Sequence, residues 1–164
     1  MSSNSREVYL TLHSDLQYLI DWAFEHVLVD ITLVQGHRSP EEQFELYKKG
    51  REEVSEGTWV IVNKSKKVTN IDGYKQKSNH NYIPSHAVDI CAYVPGKGHL
   101  SYDMVQLGYI GGAIISHAEW AYNEGIIKFK ARWGNDWDRD GDFSDNSLVD
   151  APHIELYIEK AKEL

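Results

Sequence analysis

Eight histidines stand at positions 13, 26, 37, 80, 86, 99, 117 and 153, beside a single cysteine, Cys91. His13, His26, His99 and His117 have no acidic partner at a recognisable ligand spacing and are read as structural residues. The informative group is Ser78-Asn79-His80, Asp89 nine residues after that histidine, and Asp150-Ala151-Pro152-His153 near the C-terminus. Two imidazoles and one carboxylate suit a zinc ion that keeps its fourth position for water, which is the arrangement of a catalytic rather than a structural site. The lone Cys91 excludes an all-thiolate site and any intramolecular disulfide.

Strand geometry bears on the choice of ligands. His86 is the alternative to His80, but His86 and Asp89 are three apart and point to opposite faces of one strand. His80 lies in the preceding loop, which can bring it back beside Asp89, so His80 is preferred; a strand beginning only at Ala87 weakens that preference. Pro152 cannot donate to a ladder and biases Ala151 toward an extended conformation, so the last strand starts near His153, which is expected at a sheet edge. Glu155 and Tyr157 share the face of His153 and are unusual core residues, which suits a polar site or a hydrogen bond to that histidine.

The elements that must position these residues can be read from periodicity. Ser14 followed by Leu16, Leu19, Ile20, Ala23 and Phe24 shows helical spacing behind a capping residue, and Val27 to Val34 reads as a strand. Ser39-Pro40-Glu41-Glu42 supplies a cap, a proline at the first helical position and acids in the first turn of a short surface helix that stops near Gly50. Residues 63–81 form a long polar stretch with five lysines from Lys64 to Lys77, read as a solvated loop. From Ala87 the apolar and polar residues alternate as in a central strand. Ser101 is placed as the cap of a helix running to about Asn123, with Met104, Leu107, Gly111, Ile114, Ile115 and Ala118 as its buried stripe, Gly111-Gly112 marking close packing, and Gly125 as its end. Two half-buried strands follow, one through Ile127, Phe129, Ala131 and Trp133, the other through Ile154, Leu156 and Ile158. Without regular βαβ spacing, this order predicts an α+β domain with a small, mainly antiparallel sheet flanked by helices.

Composition narrows the function. The 164 residues carry 25 acidic and 17 basic side chains, a formal charge of −8, with 41% hydrophobic residues. That predicts one domain, residues 1–164, with no linker, no repeat and no separate second unit. The acidic balance gives no electrostatic support for nucleic-acid binding. No run of about 18 apolar residues is present to enter a membrane, and the first nine residues carry no signal-peptide pattern, so synthesis in the cytosol is expected.

Four blocks, taken together, resemble the LAS-type zinc peptidases, and within them the VanY-like D,D-carboxypeptidases and the phage L-alanyl-D-glutamate endopeptidases. Gly36-His37-Arg38-Ser39-Pro40-Glu41-Glu42-Gln43-Phe44-Glu45-Leu46-Tyr47 is similar to the family's G-x-R-S/T-x-x-x-Q-x-x-L-Y block. Ser78-Asn79-His80 continuing to Ala87-Val88-Asp89 is similar to S-x-H…A-x-D, Trp133-Gly134-Asn135-Asp136-Trp137 to W-G-x-D-W, and Asp150-Ala151-Pro152-His153-Ile154-Glu155-Leu156 to D-x-P-H-x-E-L. The resemblance implies a LAS/hedgehog-like fold, zinc on His80, Asp89 and His153, Asp150 as general base and Arg38 at the substrate. One departure is the interval from His80 to Asp89, which is two residues longer than the usual seven. The addition falls in the loop, where it can be absorbed without changing the face that Asp89 occupies.

Residue chemistry agrees with those implied roles. Asp150 precedes His153 by three residues across a proline-containing turn, close enough to take a proton without being a ligand. Arg38 stays cationic and can bind a substrate carboxylate or share the negative charge that develops on the carbonyl oxygen. Tyr82, Trp133 and Trp137 have the chemistry to line a substrate groove, but large aromatics are more often partly buried packing residues, and no role is assigned to them.

A second metal is also considered. Asp136, Asp138, Asp140 and Asp142 alternate along a loop with Gly141 at the sixth position of an EF-hand-like calcium pattern, but Ser147 stands where that pattern has a bidentate glutamate. The alternative is a solvated acidic hairpin.

The resulting expectation is a zinc-dependent peptidase acting on bacterial peptidoglycan stem peptides, an L-alanyl-D-glutamate endopeptidase serving as a phage or prophage endolysin, monomeric, and held in the host cytoplasm until it is released to the wall. The alternatives are a D-alanyl-D-alanine carboxypeptidase and, in another class, a non-catalytic cell-wall- or calcium-binding domain.

Overall fold

A computed structural model describes residues 1–96, 98–146 and 148–158. In chain order the elements are α1 (Ser3–Leu10), α2 (Ser14–His26), β1 (Asp30–Gln35), α3 (Pro40–Lys48), β2 (Arg51–Ser55), β3 (Thr58–Ile61), β4 (Ala87–Val94), β5 (His99–Ser101), α4 (Met104–Asn123), β6 (Lys130–Trp133) and β7 (His153–Tyr157). The main sheet is antiparallel in the order β1-β4-β7-β6, with β5 also on β4, while β2 and β3 form a separate hairpin. The expected α+β class is the one observed.

Strand alternation divides this sheet into two faces of different chemistry. Val88, Ile90 and Ala92 of β4, Ala131 and Trp133 of β6, and Ile154 and Leu156 of β7 are buried in one core with Leu16, Leu19 and Ile20 of α2 and Leu107, Ile110 and Ile114 of α4. Each fully buried Leu or Ile contributes about 1.5–3 kcal/mol of transfer free energy, so this apolar set fixes the register. The period of two then forces Asp89, Arg132, His153 and Glu155 onto the opposite face. Register brings them together, with Asp89 opposite His153 and Arg132 opposite Glu155.

Several local readings change. α2 is capped by His13, whose Nδ1 accepts from the Asp15 amide at 3.1 Å, not by Ser14. Asp103 caps α4, accepting from the amides of Val105 and Gln106, and Ser101 instead ends β5. Met104 is 47% exposed and leaves the buried stripe. Gly111 does mark close packing, since a Cβ there would lie 2.8 Å from the Trp133 ring, whereas Gly112 faces open space. β1 starts at Asp30, later than Val27, and β7 lies between β4 and β6, so His153 is in the sheet interior and not at an edge. Ser39 behaves as read: its Oγ accepts from the Glu42 amide at 3.1 Å, and Glu42 accepts from the Ser39 amide at 2.7 Å.

Candidate active site

His80 sits on a single 3-10 turn, Asn79–Asn81, that Ser78 caps through the His80 amide. Two further bonds hold that turn against the start of α3: the Arg38 amide donates to the His80 carbonyl at 2.9 Å, and Asn81 Nδ2 donates to the Arg38 carbonyl at 2.8 Å. Further along the connection, Ser85 docks on the turn between α1 and α2, its amide donating to the Thr11 carbonyl at 2.8 Å and its carbonyl accepting from the His13 amide at 2.9 Å. The long connection therefore delivers a buried histidine to Asp89 and His153.

His80, Asp89 and His153 form a group that could hold a metal ion. His153 Nδ1 lies 3.0 Å from Asp89 Oδ1, His80 Nε2 lies 3.3 Å from the same oxygen, and the two ring nitrogens are 3.2 Å apart. Ligands ~2.0–2.1 Å from a tetrahedral zinc stand roughly 3.3 Å from one another, so these separations fit that ion. The far sides of both rings are engaged. His80 Nδ1 donates to the Gly36 carbonyl at 2.6 Å, and His153 Nε2 faces Glu155 Oε2 at 3.0 Å. Those contacts leave His80 Nε2 and His153 Nδ1 both facing Asp89, where a cation can take the place of the protons shared with that carboxylate.

The electrostatics agree. Burial pulls the His153 imidazole down, but its hydrogen bonds to Asp89 and Glu155 outweigh that and raise it to about 9. Burial would lift Asp89, yet His153 and His80 hold it well below the ordinary carboxylate range. Glu155 is likewise lifted by burial and brought down to about 2, chiefly by His153 and then Arg132. The site demands positive charge.

Arg38 and Asp150 line the same groove, a cavity of about 800 Å³. Arg38 Nη1 donates to Gln43 Oε1 at 2.8 Å, and Nη2 lies 3.5 Å from Asp89 Oδ2. Gln43 is fully buried and donates in turn to the Ile71 carbonyl at 2.9 Å, so it fixes both the guanidinium and the long loop. Burial lowers the Arg38 pKa while Asp89 opposes that, and a guanidinium remains cationic. The half-buried Asp150 carboxylate has no hydrogen-bond partner among the described residues; burial raises its pKa, opposed by His153 and reinforced by Asp89.

Gly134 explains how Asp150 and His153 come so close together. Its amide donates to the His153 carbonyl and its carbonyl accepts from the Asp150 amide, both at 2.8 Å. A Cβ there would meet the Asp150 carbonyl oxygen at 2.3 Å and His153 Cβ at 3.0 Å. Gly134→Ala is expected to destabilise the fold by about 1–3 kcal/mol through overpacking, read as a fall in the denaturant midpoint at unchanged slope; a wild-type midpoint would show that the turn has room for a side chain.

Not every candidate joins the group. His86 immediately precedes β4, its ring stacked on Tyr82 at 4.8 Å and edge-on to His13 at 5.1 Å, away from Asp89. Trp133 is a packing residue whose Nε1 donates to the Ala151 carbonyl at 2.6 Å, while Trp137 lines the groove. Asp136, Asp138 and Asp140 converge, but Asp142 does not join them: its Oδ1 accepts from the amide and hydroxyl of Ser144. Ser147, at position twelve of the calcium pattern, lies outside the described residues. Sequence reasoning assigned no role to Gln43 or Gly134, although both stand in the family blocks; a glutamine on the inner face of an otherwise surface helix was the available signal.

An imidazole–carboxylate–imidazole trio fixed from behind, facing a groove that also presents a further carboxylate and an arginine, is the equipment of a metallopeptidase. The family comparison is specific: the model for the phage L-alanyl-D-glutamate peptidases matches residues 1–157, and the chain belongs to that family. A crystal structure of the Serratia marcescens L-Ala D-Glu endopeptidase ChiX shares the fold, with a TM-score of 0.62, 22% sequence identity, and coverage of 96% of this chain and 89% of that one. No curated protein matches. Among the described residues, no helix is long and apolar enough to cross a membrane.

Proposed function

We propose that this chain is a zinc-dependent endopeptidase that hydrolyses the L-alanyl-D-glutamate bond of peptidoglycan stem peptides, with zinc on His80, Asp89 and His153, Asp150 as general base and Arg38 as the cation at the substrate. The observation that carries this reading is the convergence of the three donor atoms beside the Asp150 carboxylate, which has no hydrogen-bond partner among the described residues. Bound zinc would lower the pKa of water toward ~7 and polarise the scissile carbonyl. Asp150 accepts the proton of the attacking water as the C–O bond forms, and returns it to the leaving amine as the C–N bond breaks. Arg38, held by Gln43 and Asp89, directs its remaining N–H groups at a substrate carboxylate or at the oxyanion. Family membership favours this cleavage over removal of a terminal D-alanine.

Digestion of purified peptidoglycan, followed by mass spectrometry, tests the assignment. New D-glutamate amino termini are expected; released D-alanine in their place would make the chain a D,D-carboxypeptidase, and no new termini would make it a binding module. The biological reading is a monomeric endolysin that collects in the host cytoplasm and reaches the wall once the membrane is breached.

Calcium is the second metal of this reading, on Asp136, Asp138 and Asp140. Gly141 has φ +85° at the sixth position of the pattern, and Asp136 Oδ1 is buried with no hydrogen-bond partner among the described residues. The loop runs on toward Asp150, so ordering it would help hold the base in place. Removing calcium with a calcium-selective chelator, zinc retained, is expected to lower activity by up to about 10²-fold, the scale of a 1 Å misplacement, with recovery on adding calcium. Unchanged activity would leave the loop a solvated hairpin.

A further inference from the structure

Arg132 stands directly opposite Glu155 in the β6–β7 ladder. Its Nε donates to Glu155 Oε1 at 2.7 Å and its Nη2 lies 2.5 Å from the same oxygen, while Oε2 faces His153 Nε2 at 3.0 Å. One buried carboxylate thus bridges a guanidinium and an imidazole. Arg132 Nη1 also donates to the Trp137 carbonyl at 3.1 Å, with the guanidinium 5.2 Å from the centre of the Trp137 ring and 5.5 Å from that of Tyr157. Trp137 in turn donates from Nε1 to the Leu148 carbonyl at 2.8 Å, and its ring lies 5.5 Å from the His153 imidazole.

We propose that Arg132 is a positioning residue for the metal centre: through Glu155 it fixes the ring of His153, and through the Trp137 carbonyl it fastens the start of the loop that ends at Asp150. The proposal rests on the reading of His153 as a metal ligand. A carboxylate can orient an imidazole only if its own rotamer is fixed. Arg132 supplies that restraint by occupying Oε1, which leaves Oε2 directed at His153 Nε2. Lysine offers the charge without the planar fork and cannot reproduce both donations at once. Groups that orient metal-binding histidines change metal affinity by about 10–100-fold, and Arg132, one residue further back, belongs at the lower end of that range.

Zinc affinity of the full chain, measured by competition with a chromogenic chelator, tests this without recourse to activity. Arg132→Gln is expected to weaken zinc about 10-fold, Arg132→Lys to recover part of that loss, and the double variant with Glu155→Gln to bind no worse than Glu155→Gln alone, because both changes act through one carboxylate. The cobalt-substituted protein should show a shifted d–d spectrum in Arg132→Gln, which a stability loss elsewhere would not produce. Wild-type zinc affinity in Arg132→Gln, or additive losses in the double variant, would overturn the proposal. If Arg132→Gln fails to fold, the Arg132→Lys and Glu155→Gln pair carries the same comparison, and wild-type affinity in Arg132→Lys with a weakened Glu155→Gln would assign the role to charge alone and overturn the fork. Wild-type zinc binding by His153→Ala is a separate outcome and would remove the ligand reading itself.

Discussion

Asp150→Asn is expected to lower kcat by about 10²–10⁴-fold, the usual contribution of a positioned general base, while leaving zinc content and KM close to wild type. The substitution is nearly isosteric, and the backbone bonds at this position, from the Asp150 amide to the Gly134 carbonyl and from the His153 amide to the Asp150 carbonyl, do not involve the side chain. What is lost is the ability to accept a proton. The unmodified carboxylate is suited to that task because no described side chain hydrogen-bonds it, whereas Asp89 and Glu155 are fully engaged. The pH profile gives a second readout. Burial raises the Asp150 pKa, and the ionised form is the base, so kcat/KM should climb with pH as this carboxylate loses its proton. That acid limb should vanish from the residual rate of Asp150→Asn. Retention of full activity, or of the limb, would remove Asp150 from the chemistry.

How much of this could be read from the chain differs by element, and the reason is physical. The sheet strands that carry the site were legible because one face of each is apolar: the alternation of Val88, Ile90 and Ala92 with Asp89, and of Ile154 and Leu156 with His153 and Glu155, encodes both strand and facing direction. Glu155 was anticipated as a partner of His153 on the same logic, since a carboxylate on a buried strand face needs a partner. The hairpin of β2 and β3 was not read, because Arg51–Ser55 is charged and mostly exposed and packs too little to impose a pattern. α1 was missed for a similar reason: among its residues only Ser5 is buried, and that serine donates nothing to a periodic apolar stripe. The helix caps went wrong where two candidates stood side by side. Ser14 and His13 both offer an acceptor; His13 Nδ1 takes the Asp15 amide, while the Asp15 carboxylate accepts from the distant amides of Lys128 and Phe129 at 2.7 and 3.0 Å, contacts that local periodicity does not encode. The position of β7 inside the sheet was out of reach for sequence reasoning, because strand order is a property of long-range pairing.

The largest effect on the metal itself is expected from His80→Ala, set against His86→Ala. These histidines are six positions apart, and because β4 begins only at Ala87 the strand argument for preferring His80 is weakened. In the fold they occupy different environments. His80 is 2% exposed, with Nδ1 bonded to the Gly36 carbonyl and Nε2 turned toward Asp89 and His153. His86 packs among Tyr82, His13 and Phe129, and burial lowers its pKa, as it does for an imidazole held neutral among rings. Removing a metal-binding imidazole should exceed the ~10²-fold upper range seen for groups that merely orient one, so His80→Ala should lose zinc in equilibrium dialysis and activity with it. His86→Ala should keep its zinc and show only a packing loss of about 0.5–3 kcal/mol. Circular dichroism on both variants separates metal loss from unfolding. If the zinc is lost from His86→Ala and kept by His80→Ala, the ligand set is wrong at its first member, and the metal-binding histidine is the one immediately before β4.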